Sequence, residues 1–353
     1  MPTLTKPASQ TGFRWVVVLL LTAAGCSSSP AGGPPTIGPA GPAVSPVATG
    51  RPAGLVRPFD GHAAAALFDA GTKSLVVFSP GAGEQAPGIV TMFSAAGDQP
   101  RPVALPGPAT ALAGDGSGHA YLSARGGYYR VDLASGATAR VGVGGRQTTD
   151  FTAIARRADG KLVLGSADGT AYTLSSDTEV AARLKIFARV DSLAAQGNTA
   201  VVLDRGQTSV TTVDASGNHA AQSLRAGDGA TTLATDPAGR VLVADTRGEE
   251  LLVFSTDPLM LRQRYPVRQA PYGLAGSSRL AWVSQTAANV VVGYDLATGI
   301  PIEKVRYPTV RQPNSLAFDD ASGTLYVVSA TGDGVQVIED AAAPQPPNTQ
   351  APR

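Results

Sequence analysis

Residues 231–255 read TTLATDPAGRVLVADTRGEELLVFS, three short apolar segments separated by two turns. The first turn, residues 236–239 (DPAG), contains residues that favour tight hairpins, and the second turn contains Gly248. The apolar segments are rich in β-branched and small residues, which is typical of strands. A more polar segment, residues 261–267, follows them. The pattern therefore predicts a unit of four consecutive antiparallel strands.

The same unit recurs along the chain at a period of about 40 residues, which is typical of propellers and other repeat arrays. Each unit opens with a short strand rich in Ala and Leu, and the seven copies are Ala63–Asp69, Thr110–Asp115, Thr152–Arg157, Ser192–Gln196, Thr231–Asp236, Gly273–Ser277 and Ser315–Asp320. Each unit continues with a β-branched or aromatic strand, and the seven copies are Ser74–Ser79, His119–Ala124, Lys161–Ser166, Thr199–Asp204, Arg240–Asp245, Arg279–Ser284 and Thr324–Ser329.

The two ends of the repeat array complement each other. The last unit stops after its third strand at Asp340, and an additional strand, Ala53–Phe59, precedes the first unit. Pairing of these ends closes a ring and removes the sheet edges that favour aggregation. Seven copies of both strands disfavour a six-unit ring, and the long period disfavours a β-helix. We therefore expect an all-β fold, a seven-bladed β-propeller of four-stranded antiparallel blades over residues 53–340, closed by an N-terminal strand.

Two of the units resemble known repeat families. Residues 240–248 (RVLVADTRG) with residues 251–254 (LLVF) resemble an NHL-type repeat, and residues 324–329 (TLYVVS) with residues 335–338 (VQVI) are similar to a YVTN-type repeat. The Trp-Asp ending of WD repeats does not occur in the units. The resemblance implies a propeller but not an activity, because unrelated functions share this fold.

The N-terminus has the features of a secretory signal over residues 1–25. Lys6 and Arg14 supply positive charge, and the apolar run at residues 15–21 is too short to span a membrane. Small residues then precede Cys26, which is the only cysteine of the chain. We expect an exported protein.

Residues 23–26 (AAGC) resemble the bacterial lipobox, although Ala23 stands where Leu is most common. The resemblance implies cleavage before Cys26 and acylation of this residue, with palmitate among the attached chains. An ordinary signal peptide with an incidental cysteine is the alternative. Together with the repeats, the lipobox suggests an actinobacterial propeller lipoprotein at the extracytoplasmic face of the cell membrane.

Two further segments lack the apolar residues that a core requires. Residues 26–52, which follow the signal, are rich in Ser, Gly and Pro, and residues 341–353 (AAAPQPPNTQAPR) are similar. Such segments bury too little surface to offset the entropy of ordering. We expect a disordered tether at residues 26–52 and a disordered C-terminal tail.

The composition excludes several classes of function. The formal net charge is +1, and removal of Lys6 and Arg14 with the signal changes it to −1. This balance gives no support for nucleic-acid binding. A single cysteine excludes a disulfide framework and a thiolate metal cluster. The sequence has no G-x-S-x-G, H-E-x-x-H or P-loop motif, so hydrolase or nucleotide chemistry of those kinds is not expected.

In a propeller, the loops from second to third strands and the loops between blades share one face around the axis. The residues before the first strands predict one axial position per blade, and the seven are His62, Thr110, Asp150, Asp191, Asp228, Tyr272 and Asn314. Gluconolactonase-like propellers hold a metal at such positions, and this resemblance implies Ca²⁺ or Mg²⁺ bound by oxygen ligands. The other interpretation is that Asp and Asn begin strands and turns here.

A second set of candidates is cationic. Four arginines are expected in loops of the same face, and they are Arg125, Arg205, Arg247 and Arg311. Guanidinium groups suit carboxylate or phosphate, so the face is a candidate anion-binding surface, unless these side chains are simply solvated. Residues 268–275 (RQAPYGLA) and 311–317 (RQPNSLA) share a pattern that a repeat-encoded turn explains.

We favour a non-enzymatic envelope lipoprotein without a cofactor. It is attached to the membrane by its lipid and binds an envelope protein, a glycan or an anionic small molecule as a scaffold. The alternative is a lactonase- or lyase-like enzyme that holds a divalent cation near Asp150, Asp191 and Asn314. Streptogramin-lyase-like propellers use a catalytic histidine, and the surroundings of the histidines here do not reproduce that motif. A purely structural propeller in a larger complex is a third interpretation.

Overall fold

The computed structural model describes residues 1–3, 35–97 and 99–343. The predictions for the signal peptide and Cys26, and those for the tail after residue 343, lie outside the described residues. The chain divides into two units, Met1–Gly33 and Pro34–Arg353. Only three residues of the first unit are described, so the fold given below is that of the second. Within the described ranges, no helix is both long and apolar enough to cross a membrane.

The described part of the chain forms 28 strands in seven antiparallel sheets of four, which confirms the predicted seven blades. The strands of blades 1 to 3 are β2 (Ala65–Asp69), β3 (Ser74–Ser79), β4 (Ile89–Ser94) and β5 (Arg101–Ala104), then β6 (Leu112–Gly114), β7 (His119–Ala124), β8 (Gly127–Asp132) and β9 (Thr138–Gly142), then β10 (Phe151–Arg156), β11 (Leu162–Ser166), β12 (Thr170–Leu174) and β13 (Val180–Lys185). Those of blades 4 and 5 are β14 (Ser192–Gln196), β15 (Thr199–Asp204), β16 (Ser209–Val213) and β17 (Ala220–Arg225), then β18 (Ala230–Thr235), β19 (Arg240–Asp245), β20 (Glu250–Thr256) and β21 (Leu259–Pro266). Those of blades 6 and 7 are β22 (Pro271–Gly276), β23 (Ala281–Gln285), β24 (Val290–Asp295) and β25 (Ile302–Pro308), then β26 (Pro313–Asp319), β27 (Thr324–Ser329), β28 (Val335–Ile338) and β1 (Leu55–Arg57).

The ring closes between the two ends of the repeat array, as predicted. The first strand, β1, pairs antiparallel with β28, and Val56 lies opposite Gln336. The seventh blade therefore takes its outer strand from the start of the propeller and its other three strands from the end. A ring of this kind is held by backbone hydrogen bonds between segments that are distant in sequence, and it leaves no open end to the array of blades.

The core lies between the blades. The second and third strands are almost fully buried because both of their faces pack against neighbouring blades. Between blades 1 and 2, for example, Val76 and Val90 lie in one apolar cluster with Leu122 and Val131. The fourth strands are the exposed ones, as their more polar sequences predict.

Threonine hydroxyls connect the inner strands of neighbouring blades around the axis. Thr110 Oγ1 donates to the carbonyl oxygen of Phe151 at 2.8 Å, and Thr152 Oγ1 donates to that of Val190 at 2.6 Å. Because each bond joins one blade to the next, these hydroxyls fix the beginnings of neighbouring inner strands to each other around the axis.

The segment expected to be a disordered tether is ordered over much of its length in the structure. Residues 36–46 (TIGPAGPAVSP), called the strap below, run extended along the loops of blades 4 to 7 and are hydrogen-bonded to them. The expectation of disorder is therefore wrong for residues 36–46. The physical reason is that a chain with little apolar surface can still be ordered when its backbone groups find partners, and the sequence pattern gives no indication of such partners.

Candidate binding site on the upper face

The upper face is defined here as the face that carries the loops from second to third strands and the loops between blades. The axial channel opens on this face and has a volume of about 490 Å³. Its wall consists of short runs from the inner strands of all seven blades and one residue of a second-to-third-strand loop, and these are residues 64–66, 110–112, 153–154, 191–193, 231–233, 272–274, 314–316 and Arg205.

The channel carries polar side chains at its mouth and leucine side chains further along, and polar atoms form the larger part of its exposed lining. Where three consecutive residues line it, the first is polar in five of the six blades, as in Asp191, Tyr272 and Asn314. The third is Leu in those same blades, as in Leu193 and Leu274. A cavity of several hundred cubic ångströms with polar groups at its mouth and leucines further along is large enough to hold a small polar molecule.

Asp191 and Arg205 carry the only formal charges among the residues that line the channel. The backbone N–H of Arg205 donates to Asp191 Oδ2 at 2.8 Å, and Arg189 Nε lies 3.2 Å from Asp191 Oδ1. Burial nevertheless raises the pKa of the Asp191 carboxyl, because the loss of solvent outweighs the bond from Arg205 and the charges of both arginines. The carboxylate is thus largely engaged by protein groups.

Tyr272 and Asn314 present further polar groups at the mouth. Burial raises the pKa of the Tyr272 phenol, which remains protonated at neutral pH, and the positive charge of Arg205 opposes that shift. Asn314 Oδ1 accepts a hydrogen bond from Gln312 Nε2 at 3.0 Å. Together with Arg205, these side chains form a mouth that offers hydrogen-bond donors to an oxygen-rich group.

Three of the predicted anion-binding arginines bind carbonyl oxygens of the strap. The bonds run from Arg247 Nη2 to Gly38 O at 2.7 Å, from Arg311 Nε to Ser45 O at 3.3 Å, and from Arg205 Nη2 to Ala40 O. The fourth, Arg125, is exposed on blade 2, where its own carbonyl accepts a bond from Arg140. Arg205 belongs both to the channel wall and to the set of residues that hold the strap.

Blades 6 and 7 hold the strap through its backbone and one buried serine. Gln312 Nε2 donates to Ala43 O at 2.8 Å, and the N–H of Ser45 donates to Gln312 Oε1 at 3.0 Å. The Ser45 hydroxyl donates to Thr286 O at 2.6 Å and accepts from the N–H of Gln312 at 3.1 Å. The N–H of Ala43 donates to Thr286 Oγ1 at 3.2 Å.

Sequence reasoning did not identify Thr286, Asn289 or Gln312 as functional residues. Asn289 Nδ2 donates to Pro46 O at 2.9 Å and completes the contacts at the end of the strap. Gln312 falls in the pattern that residues 268–275 and 311–317 share and that a repeat-encoded turn explains. The repeated Arg-Gln pair of that pattern is the signal that could have identified it, since Gln269 and Gln312 also share a left-handed backbone.

Of the seven predicted axial positions, Thr110, Asp191, Tyr272 and Asn314 line the channel and three lie elsewhere. His62, Asp150 and Asp228 are exposed and do not line the channel. His62 Nδ1 lies 3.1 Å from Ala330 O, and Asp228 lies 4.0 Å from Arg225. The channel is lined instead by residues 64, 153 and 231 in these blades, which lie two or three residues further along the chain than the predicted positions.

The three groups proposed for a divalent cation do not come together. Asp191 and Asn314 line the channel, whereas Asp150 does not. Among the residues that the structure describes, there is no group of three or more His, Cys, Asp or Glu side chains that could hold a metal ion. Other aspartates of this face satisfy backbone groups, since buried Asp245 accepts from the N–H groups of Asp228, Gly229 and Gly248.

Comparisons with known proteins identify the fold and no family. No protein-family model matches the sequence, and the search of curated proteins found no match. Similar solved structures include a chain of the mitotic checkpoint complex (12% identity, TM-score 0.66, covering 85% of this chain and 98% of that one) and streptogramin B lyase (10%, 0.64, 82% and 97%). The Cps50 (Swd1) β-propeller domain of Myceliophteria thermophila is also similar (12%, 0.62, 79% and 97%). At these identities the similarity shows a shared seven-bladed propeller and leaves the activity open.

Proposed function

We propose that this chain is a lipid-anchored extracytoplasmic propeller that binds a small anionic ligand at the upper mouth of its channel, without catalysing a reaction. The observation that supports the proposal is the channel itself, in which Arg205, Tyr272 and Asn314 surround the opening above leucine side chains of five blades. A carboxylate or phosphate at the mouth would take the hydrogen bond that Arg205 now gives to the carbonyl of Ala40. The leucine side chains would contact the remainder of the ligand.

A binding role fits the state of the acid at the mouth. Asp191 has its oxygens engaged by the backbone of Arg205 and the side chain of Arg189, so it lacks the freedom of a general base. Its position next to Arg205 instead holds that arginine's backbone in place. The site can therefore select an anion by charge and by fit, which is the function of an accessory binding protein.

The experiment is native mass spectrometry of the full-length chain, solubilised in detergent from the membranes of its own host. We expect a bound mass with the wild-type chain that is lost from Arg205→Ala. Arg125→Ala is the matched control, because Arg125 is an exposed arginine of the same face outside the channel. Retention of the same mass by Arg205→Ala, or its absence from the wild-type chain, would contradict the proposal.

A further inference from the structure

The contacts of the strap are those of a peptide-binding cleft. Gln312 donates to one strap carbonyl and accepts from the N–H two residues later, which is the pattern that an extended peptide shows to the edge of a sheet. The remaining donors are on the arginines and Asn289, and they also donate to backbone carbonyl oxygens of the strap. Such contacts recognise an extended chain with little regard to most of its side chains.

One position of the strap is recognised by its side chain. Ser45 is 2% exposed, and its hydroxyl is bonded on both sides, to the carbonyl of Thr286 and to the N–H of Gln312. By contrast, the side chains of Val44 and Val47 are 83% and 79% exposed. The cleft therefore requires a small hydroxyl residue at the position of Ser45 and tolerates other residues beside it.

The prolines of the strap suit this mode of binding. Pro39, Pro42 and Pro46 have no N–H to be satisfied, and they restrict the chain to extended conformations before it binds. A peptide that is already extended loses less entropy when it enters a cleft. The chemistry of the best occupant is thus an extended segment of proline and small residues with a serine at the buried position.

The cleft is built on a left-handed turn at Gln312, a backbone conformation that Gln269 shares in the other repeated turn. Gln312, which supplies both a side-chain and a backbone contact to the strap, has a φ of 52°. A non-glycine residue in the left-handed region is unfavourable unless its surroundings hold it there. Here the strained conformation presents the Gln312 N–H to the serine hydroxyl.

The strap is bound mainly through hydrogen bonds, so another peptide that makes the same hydrogen bonds can replace it. Its large apolar side chains remain largely exposed, with Ile37 at 42%, so removal of the strap exposes little new apolar surface of its own. Its hydrogen bonds can be replaced one for one by those of a second chain with the same backbone geometry. A competing segment needs to match only the extended path and the serine.

From these observations we propose that the strap cleft is a recognition site for an extended Pro/Ala/Gly segment of a second protein with Ser-Pro at the position of residues 45–46, and that the chain's own strap is its intramolecular competitor. The strap cleft would bind a peptide, whereas the channel mouth is proposed to bind a small anion. Its critical contacts, Thr286 and Gln312, are outside the channel wall.

The test uses the full-length chain with its strap displaced. Ser45→Trp places an indole where a buried hydroxyl now lies, and Ser45→Asp places a carboxylate against the carbonyl of Thr286. The probe is a fluorescent synthetic peptide of residues 36–48 (TIGPAGPAVSPVA), titrated by fluorescence anisotropy. Val44→Trp is the matched control because its side chain projects into solvent.

We expect the displaced variants to bind the peptide at least tenfold more tightly than the wild-type chain and Val44→Trp. A peptide with Trp in place of the serine should not bind, and adding Gln312→Ala to a displaced variant should abolish binding of the original peptide. If the displaced variants keep the β-sheet circular dichroism of the wild type and still bind no better than Val44→Trp, the proposal is wrong and the strap is only an intramolecular clamp. If Ser45→Trp fails to fold, Ser45→Asp decides the matter. None of these variants replaces a residue of the channel wall, so a negative result with the peptide contradicts the strap-cleft proposal and does not test the proposed ligand site.

Discussion

At the scale of single residues, two side chains of the same type can differ in their contacts, and the sequence alone does not show this difference. Arg125 and Arg205 are both loop arginines of the upper face, but only Arg205 lines the channel and contacts the strap. Of the residues expected around the axis, Asp191 and Asn314 line the channel, whereas His62 and Asp150 do not. The apolar pattern locates the inner strands but not the residue that faces the axis, since Asp150 and Asp191 both directly precede an inner strand and only Asp191 lines the channel.

The environment of Asp191 predicts a pH-dependent effect of Asp191→Asn. Burial raises the pKa of the folded carboxyl above its ordinary value, so the folded state holds more proton than the unfolded state between the two values. Stability is therefore lost as pH rises through that window, and the loss persists above it. We expect Asp191→Asn to gain stability relative to the wild type on going from pH 3 to pH 7, as measured by urea unfolding.

The control for this prediction is Asp132→Asn, which should behave in the opposite sense. Hydrogen bonds from the N–H and hydroxyl of Ser135 lower the pKa of Asp132. Its contribution to stability is thus present above the ordinary carboxyl pKa and is lost as pH falls through the lowered one. Asp132→Asn should lose stability relative to the wild type between pH 3 and pH 7. Shifts of the same sign in both variants would contradict the assignment.

At the scale of elements, the second strands were predicted best and the strap was not predicted at all. The continuous apolar run of β19 predicts a strand that is buried between blades. The bounds of this strand in the structure are the predicted ones, Arg240–Asp245. The strap has no apolar periodicity, and its order depends on side chains as distant in sequence as Gln312. Pattern methods detect burial of side chains, whereas this segment is held through its backbone.

The closing strand β1 depends on a buried glutamine of its partner strand. Gln336 is fully buried, donates from Nε2 to Ala53 O at 2.8 Å and to Pro308 O at 3.0 Å, and accepts from the N–H of Val310 at 3.1 Å. Gln336→Ala removes these three hydrogen bonds, and the carbonyl of Pro308 keeps another, from the N–H of Ala53 at 3.0 Å. We expect a loss of about 3 kcal/mol in the free energy of unfolding. Urea denaturation measures it. Leu55→Ser, an exposed change on β1, should cost under about 0.5 kcal/mol. Equal losses in the two variants would show that Gln336 has no special part in closure.

At the scale of the whole molecule, the ring fixes where the two ends of the propeller meet, and the strap continues from that junction across the upper face. The repeat count and the complementary ends predicted the ring because both follow from sheet closure, which is a property of the entire array. The path of the strap is determined by side chains of several blades together. It therefore cannot be predicted from any single local stretch of the sequence.

The proposed lipid anchor lies close to the strap in sequence. Eight residues separate Cys26 from Pro35, where the described part of the propeller unit begins, and the covalent length from Cys26 to Pro35 is at most about 30 Å. A docked strap thus shortens the tether from the 26 residues between Cys26 and Ala53 to about a third of that number. Binding at the strap cleft and distance from the membrane are then coupled, because a displaced strap lengthens the tether.

Acylation of Cys26 is tested by Cys26→Ser in the chain's own host. With the anchor, two or more acyl chains give stable attachment, so the wild-type chain should sediment with membranes and incorporate labelled palmitate. Cys26→Ser should lose the label and move to the soluble or secreted fraction, because the apolar run at residues 15–21 is too short to hold it as a spanning helix. Ser27→Ala is the matched control and should remain in the membrane fraction with its label. If Cys26→Ser sediments with membranes as the wild type does, attachment depends on a partner protein and the lipobox interpretation fails.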